Sequence, residues 1–163
     1  MASLFENSKV IKLDDRDFKI GHSKTGQPIV KIINDQFKNK DGYIMIYASW
    51  CPHCRAKEKF WSYLADQFNS NPEFEKENFR IGVVDAENPQ ATNLLQGLQV
   101  GPIPRFMHVI PDPRNPGQGD LVDYEGSDIT PESLIGEICD MSPTDTLCNF
   151  NPKILHPPEI SYE

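Results

Sequence analysis

The stretch YIMIYASWCPHCRAK, residues 43–57, joins a continuous apolar run to two cysteines that are separated by only two residues. Residues 43–48 are β-formers without polar alternation, which is typical of a strand covered on both faces, as in parallel sheets. From Cys51 onward the apolar residues recur at helical spacing. The sequence therefore predicts a central strand that leads into a helix whose first turn holds both cysteines. The helical apolar positions are Cys54, Trp61, Leu64, Ala65 and Phe68.

The rest of the chain alternates between strand and helix patterns. The loop residues of 111–119, PDPRNPGQG, separate two strand patterns, and the Thr130-Pro131 pair predicts the start of a last helix. Together the elements predict an α/β fold in which a sheet has helices on both faces. We expect strands at 10–13, 43–48, 79–84, 105–110 and 121–124, helices at 32–38, 89–98, 130–141 and from 51 onward, the first turn of a helix at 14–18, and a loop or hairpin at 19–30.

The length of 163 residues corresponds to one domain, which would bury roughly 70% of the surface that the unfolded chain exposes. Such a domain needs no disulfides to fold, and four cysteines are too few for a disulfide-rich scaffold. After Met141 the chain becomes polar and proline-rich. We therefore expect residues 142–163 to form a tail that lies on the surface or is partly disordered.

The charge of the chain argues against whole classes of partner. A formal charge of −8 and a pI near 5.0 disfavour binding to the phosphate backbone of nucleic acids. The start, MASLFENSKV, lacks the apolar stretch of about 7–15 residues found in secretory signals, and no apolar run approaches the ~18 residues of a membrane span. We expect a soluble, cytoplasmic protein that binds neither nucleic acid nor membranes.

The pair Cys51 and Cys54 has the spacing of a reversible dithiol–disulfide centre. A helix N-terminus offers unpaired N–H groups and about half a positive charge, and both favour an anion there. Cysteines at helix N-termini in Cys-X-X-Cys motifs have pKa values of roughly 3.5–7, against about 8.5 for a free thiol. We therefore predict that Cys51 is the nucleophile. Cys54 lies one turn further in and is expected to be the more shielded, resolving thiol.

The residues around the pair would bias its two redox states. Pro52 stiffens the turn, and a protonated His53 would add a donor and a positive charge beside the thiolate. Stabilising the reduced form makes the disulfide a stronger oxidant. The nearby Arg55, Lys57 and Lys59 are either a solvated helix face or a further field that favours the thiolate.

Two other interpretations of the pair remain open, a zinc site and inert thiols. Structural zinc normally takes four ligands, usually as two close pairs. The other candidates are Cys139, Cys148 and the scattered His22, His108 and His156, which do not form such a second pair. We expect no metal. Cys139 and Cys148 could bridge the last helix to the tail, but we favour reduced, structural thiols.

Four segments of the chain resemble the thioredoxin superfamily, and within it the protein disulfide isomerase and thioredoxin-like domains. The resemblance covers about residues 8–141 and implies a thioredoxin fold, with a central mixed β-sheet flanked by helices on both faces. It also implies thiol–disulfide exchange with protein substrates and no external cofactor. The segments are Val10-Ile11-Lys12-Leu13 with Phe18, YASWCPHC at 47–54, VDAEN at 84–88 and VGPIP at 100–104.

The resemblance implies roles for further residues. The loop with Ile103 and Pro104 is similar to the family's cis-proline loop, which would set the Ile103 backbone beside Cys51 to pair with an extended substrate segment. Trp50 would contact substrate or pack the end of the strand. The Pro52-His53 dipeptide is similar to that of DsbA, which favours oxidation or isomerisation over reduction.

The chain also departs from the family pattern. Met45 stands six positions before the first cysteine, where the family commonly has a buried acid that accepts the proton of the resolving thiol. Proton transfer from Cys54 would then need water or Glu58. Lys59 stands where the family often has a proline. These departures keep open a second interpretation, a thioredoxin-like binding or structural module whose cysteines are redox-idle.

The implied partners are protein thiols and disulfides, together with a reductase or a sulfhydryl oxidase. A DsbA-like dipeptide is unusual in a reducing cytosol. One explanation is a cytoplasmic disulfide-forming system such as some large DNA viruses assemble, in which an oxidase recharges this protein. Another is that the surroundings of the dipeptide override it and the protein works as a reductant.

Overall fold

The computed structural model describes residues 3–69, 79–124, 129–141 and 148–155. Seven strands and three α-helices lie in these residues. The strands are β1 (Ile11–Leu13), β2 (Phe18–His22), β3 (Pro28–Ile32), β4 (Asp41–Tyr47), β5 (Phe79–Asp85), β6 (Arg105–Pro111) and β7 (Gly119–Asp123), and the helices are α1 (Pro52–Asn69), α2 (Thr92–Gly97) and α3 (Pro131–Met141). None of these helices is long and apolar enough to cross a membrane.

The strands form one mixed sheet in the order β1-β5-β4-β6-β7-β3-β2. β5 pairs in parallel with both β1 and β4, whereas the remaining neighbours are antiparallel. Strand β4 lies at the centre, where Met45 faces Val83 on one side and Phe106 on the other. The prediction of a central apolar strand at 43–48 is confirmed.

The two faces of the sheet carry separate cores, because side chains alternate along β4. Tyr43, Met45 and Tyr47 pack in the core that includes α1 and α3. Ile44 and Ile46 pack in the opposite core, which includes α2. The predicted α/β arrangement with helices on both faces is therefore confirmed, and the junction of β4 with α1 is anchored from both sides.

Helix α1 is held against the sheet by a large buried aromatic residue. The Trp61 side chain is fully buried, and its Nε1–H donates a 2.9 Å hydrogen bond to the carbonyl of Gly82. This satisfies the polar atom of an indole whose burial would otherwise cost free energy. The contact fixes the position of α1 over β5 and thereby the position of its first turn.

Two predicted helical segments near the N-terminus are wrong. Residues 14–18 form only a single 3₁₀ turn, Asp15–Asp17, before the chain enters β2. Residues 32–38 are not an α-helix, because β3 continues to Ile32 and only a 3₁₀ turn, Asp35–Phe37, follows. Ile32 is buried between Phe18 of β2 and Gly119 of β7, so tertiary pairing overrides the local helical pattern.

The predicted last helix is confirmed, and its cap has the expected chemistry. The Thr130 hydroxyl accepts a hydrogen bond from the Ser133 N–H at 3.1 Å, and the Ser133 hydroxyl accepts one from the Thr130 N–H at 3.0 Å. These reciprocal bonds satisfy N–H groups that have no partner within the helix. Pro131 follows as the first helical residue.

The expectation that Cys139 and Cys148 are reduced is wrong, since they form a disulfide. This bond ties the segment 148–155 to α3. Leu155 of that segment is buried, and Phe150 stacks on Tyr63 of α1 with ring centroids 4.3 Å apart. Only tertiary packing brings the two sulfurs together, which the spacing of the cysteines alone does not indicate.

The N-terminal residues also join the core. Leu4 and Phe5 are buried against α1 and β4. These contacts, like those of Leu155, lie outside the range 8–141, and the domain limits remain a prediction. The predicted tail at 142–147 and 156–163 lies outside the described residues.

Candidate functional site

The cysteine pair lies where β4 gives way to α1. The N–H of Cys51 donates to the carbonyl of Ala48 at 3.1 Å, which closes a turn after the strand. The carbonyl of Cys51 accepts a 3.0 Å hydrogen bond from the Arg55 N–H, the first hydrogen bond of the helix. Cys51 is therefore the N-cap residue of α1, and Cys54 lies in the first turn.

Cys51 and Cys54 are both buried, and neither forms a disulfide. The N–H of Cys54 donates to Cys51 Sγ at 3.3 Å. Burial, together with the side-chain hydrogen bond to Cys51, raises the pKa of the Cys54 thiol to about 12. Cys54 has no exposed surface and Cys51 has 3%. At neutral pH Cys54 therefore keeps its proton. The nearby Cys51 sulfur accepts the hydrogen bond from the Cys54 backbone N–H.

A loop from the other side of the sheet also reaches Cys51. The carbonyl oxygen of Ile103 lies 3.9 Å from Cys51 Sγ, and the Ile103–Pro104 peptide bond is cis. This loop connects α2 to β6. The fold thus brings together Cys51, Cys54, Ile103 and Pro104, four of the residues that the sequence singles out.

Pro52 and His53 lie on the solvent side of the same helical turn. Pro52 is the first residue of α1, the position where a missing N–H costs nothing. Both residues are exposed. The Cys51 sulfur therefore lies between the exposed residues Pro52 and His53 and the buried Cys54.

An open apolar groove lies next to the cysteines. Trp50 forms one side of it and is 59% exposed. The other lining residues come from the end of β5, from α2 and from the loop before β6: Ala86, Leu95, Val100, Gly101, Pro102 and Ile103. Exposed apolar surface beside a thiol pair is suited to contact with an extended polypeptide.

Two of the basic side chains near the pair are held by backbone carbonyls. Arg55 Nη1 donates to the carbonyl of Ser49 at 3.1 Å, and Lys57 Nζ donates to that of Ile129 at 2.5 Å. Arg55 thus braces the turn before α1, and Lys57 links α1 to the start of α3. Both side chains have structural contacts.

Beneath Cys54 lies a group of residues of which the sequence analysis identified only Glu58. Glu58 Oε2 accepts a 2.7 Å hydrogen bond from the Phe5 N–H. The Phe5 ring contacts the Tyr47 ring edge-on, with centroids 5.1 Å apart. Tyr47 shares a face of β4 with Met45, so period-two alternation could have identified it. The packing of Phe5 here had no local signal in the sequence.

Met45 stands where the thioredoxin superfamily commonly has a buried acid, and its side chain is fully buried. Burial raises the pKa of Tyr47 to about 12, and the charges of Asp85, Glu58 and Cys54 act in the same direction. The buried core that contains Cys51 and Cys54 therefore also holds an apolar thioether, Met45, and a neutral phenol, Tyr47. In the residues that the structure describes, no group of three or more His, Cys, Asp or Glu side chains could hold a metal ion.

The arrangement of strands and helices matches known structures along most of the chain. Thioredoxin f from spinach chloroplast, in its short form, superposes with a TM-score of 0.50 at 16% identity, covering 86% of this chain and 97% of that chain. The chain has the thioredoxin fold. No protein-family model and no curated protein matches the sequence.

Two other solved structures show the same thioredoxin fold. The zinc-bound form of human ERp44 gives a TM-score of 0.56 at 17% identity, covering 83% of this chain and 30% of that chain. The J-Trx1 fragment of ERdj5 gives a TM-score of 0.51 at 17% identity, covering 82% of this chain and 51% of that chain. In the thioredoxin fold of this protein, the hairpin β2–β3 extends the sheet beyond β7.

Proposed function

We propose that this protein is a thiol–disulfide oxidoreductase that exchanges disulfides with protein substrates through Cys51 and Cys54. The observation that carries the proposal is the hydrogen bond at the start of α1 in which the Cys54 N–H donates to Cys51 Sγ at 3.3 Å. A thiolate accepts such a hydrogen bond more strongly than a thiol does. Cys51 is therefore the attacking sulfur and Cys54 the resolving one.

The exchange proceeds in two displacements at sulfur. The Cys51 thiolate attacks one sulfur of a substrate disulfide; a Cys51–substrate bond forms, and the other substrate sulfur leaves as a thiolate. Cys54 then loses its proton and attacks Cys51 Sγ. The Cys51–Cys54 disulfide forms, the second substrate thiolate leaves, and the substrate has gained two electrons. The same steps in reverse oxidise a substrate dithiol.

The substrate would lie in the groove between Trp50 and the loop of residues 101–104. A carbonyl at Ile103, 3.9 Å from Cys51 Sγ, can accept a hydrogen bond from an extended substrate backbone. The exposed Trp50 ring supplies apolar contact next to the reacting sulfur. Trp50, Ile103 and Pro104 are accordingly the proposed substrate-binding residues.

The direction of exchange is proposed from the dipeptide between the cysteines. Pro52 and His53 favour oxidation or isomerisation, with a sulfhydryl oxidase or a reductase as the recycling partner in the cytoplasm. The reduction potential of the 51–54 pair tests this, because a value near about −120 mV indicates an oxidase and one near about −270 mV a reductase.

The activity itself is tested with insulin reduction and with refolding of scrambled ribonuclease. We expect activity in the wild type and its loss in Cys51→Ser. Replacement of both Cys139 and Cys148 with serine serves as the control, since it changes cysteines outside the site and leaves no unpaired thiol there. Equal activity in wild type and Cys51→Ser would instead support a binding or structural module with an idle cysteine pair.

A further inference from the structure

The resolving thiol faces a chemical problem that the structure makes explicit. Cys54 has no exposed surface, and its burial favours the protonated form. Before it can attack Cys51, it must transfer that proton to an acceptor. Met45, which shares the buried core with the pair, has no group that could take a proton.

Glu58 lies one helical turn from Cys54. The two residues are four positions apart on α1, so their side chains occupy the same face of the helix, one above the other. Glu58 is half-buried, and in its ionised form a carboxylate is a proton acceptor. Helix geometry alone thus brings a base next to the resolving thiol.

The N-terminal segment, residues 3–8, fixes the position of this carboxylate. The Phe5 N–H donates to Glu58 Oε2 at 2.7 Å, which leaves the other carboxylate oxygen available for a proton. The segment is itself held in place, because Leu4 and Phe5 are 3% and 1% exposed. A carboxylate with one oxygen held by a buried backbone group is oriented before the reaction begins.

Tyr47 connects the two groups from the strand side. Its buried ring lies against Phe5, and the charges of both Glu58 and Cys54 act on its hydroxyl. The phenol therefore lies in the field of both the proton donor and the proton acceptor. The charged or titratable groups facing Glu58 are Tyr47 from β4, Glu6 from the N-terminal segment and Asp66 from α1.

We propose that Glu58 accepts the proton of Cys54 during the resolving step, with its carboxylate positioned by the N–H of Phe5. The inference rests on the proposed function. The Cys54 S–H bond breaks as Glu58 takes the proton, and the Cys54 sulfur attacks Cys51 Sγ. The substrate thiolate leaves, and Glu58 then gives its proton to that thiolate or to solvent, which restores the carboxylate.

An aromatic disulfide that releases a coloured thiolate separates the two displacements. Attack by Cys51 releases the first equivalent, and attack by Cys54 on the mixed disulfide releases the second. In Glu58→Gln we expect an unchanged first phase and a second phase slowed by about 100-fold, the lower end of the range that general bases contribute. Glu6→Gln, which removes an exposed acid from the same surface pocket, should leave both phases unchanged.

The pH profile distinguishes proton transfer from a structural role. As pH rises, hydroxide replaces the carboxylate as the acceptor of the Cys54 proton. The rates of the second phase in wild type and Glu58→Gln should therefore converge. A gap that stays constant with pH, an unchanged second phase, or an equal effect of Glu6→Gln would overturn the proposal. If the wild type shows no first phase, the proposed function itself fails.

Glu58→Asp covers the case in which Glu58→Gln does not fold. This variant keeps the acid but withdraws it by one methylene, so the second phase should be intermediate and still depend on pH. A second phase equal to that of the wild type at every pH would contradict the proposal.

Discussion

Cys51 Sγ lies 3.9 Å from the carbonyl oxygen of Ile103, although 52 positions separate the two residues in the sequence. One residue caps a helix that follows the central strand, and the other belongs to a loop that precedes β6. Ile103, which lines the groove with Trp50, thus lies beside the sulfur of Cys51. Under the proposed function, substrate binding and exchange at sulfur would depend on the same loop.

Single cysteine variants should give opposite trapping results. In Cys54→Ser the resolving sulfur is missing, so mixed disulfides between Cys51 and substrate proteins should accumulate. In Cys51→Ser no mixed disulfide should form, because Cys54 is fully buried and protonated. Non-reducing gels of the purified variants with a disulfide-containing substrate measure this. Equal trapping by both variants would remove the assignment of Cys51 as the nucleophile.

Loss of the Trp50 ring should weaken the binding of protein substrates but not the reaction with small disulfides. Trp50→Ala removes an exposed aromatic side chain from the groove, and we expect KM for a protein disulfide to rise about tenfold, as for a truncated interface aromatic. The rate with a small aromatic disulfide at saturating concentration should stay unchanged.

Ile154→Ala is the matched control for Trp50→Ala. Ile154 is 55% exposed and lies in the segment 148–155, on the disulfide-linked side of the molecule. A similar rise in KM for both variants would show that general surface hydrophobicity, rather than the groove, determines substrate binding.

The stability of the reduced protein should fall in alkaline solution. Burial raises the pKa of Cys54 to about 12, whereas an unfolded cysteine has a pKa of about 8.5. Between these values the unfolded state releases a proton that the folded state retains, so the free energy of unfolding decreases as pH rises. The contribution of the protonated Cys54 thiol to the free energy of unfolding is fully present below about pH 8.5 and is lost towards pH 12.

Urea unfolding of the reduced protein across this pH range measures the effect. Cys54→Ala should show a shallower decline, with the remaining slope due to buried tyrosines such as Tyr47, whose pKa is also raised to about 12. An identical slope in wild type and Cys54→Ala would contradict burial of a protonated thiol at this position.

Removal of the Cys139–Cys148 disulfide should destabilise the protein without abolishing exchange. The Cys139–Cys148 bond closes a loop with a sequence separation of 9, for which chain entropy predicts about 2–3 kcal/mol. Cys148→Ser should therefore lower the unfolding free energy by that amount and speed proteolysis between α3 and Leu155.

Insulin reduction provides the control for Cys148→Ser, since the variant leaves Cys51 and Cys54 in place and should keep the wild-type rate below its melting temperature. An unchanged unfolding free energy would show that the packing of Leu155 and Phe150 holds the segment without the bond.

Local patterns were sufficient for the part of the molecule around the cysteine pair. The apolar run at 43–48 and the helical spacing after Cys51 predicted β4 and α1, because burial on both faces and the 3.6-residue period leave direct marks in a sequence. The cap at Thr130 was equally local. The thiol pair, its place at a helix N-terminus and the fold class followed from these signals.

Tertiary structure alone decided features that depend on distant segments. Residues 32–38 form no helix because Ile32 pairs with β7, some 87 positions away, and strand pairing outweighs a weak local preference. The Cys139–Cys148 bond and the hydrogen bond from Phe5 to Glu58 likewise join separate elements. Such contacts leave no periodic signal in the sequence, since each depends on where the packed sheet and helices place two remote groups.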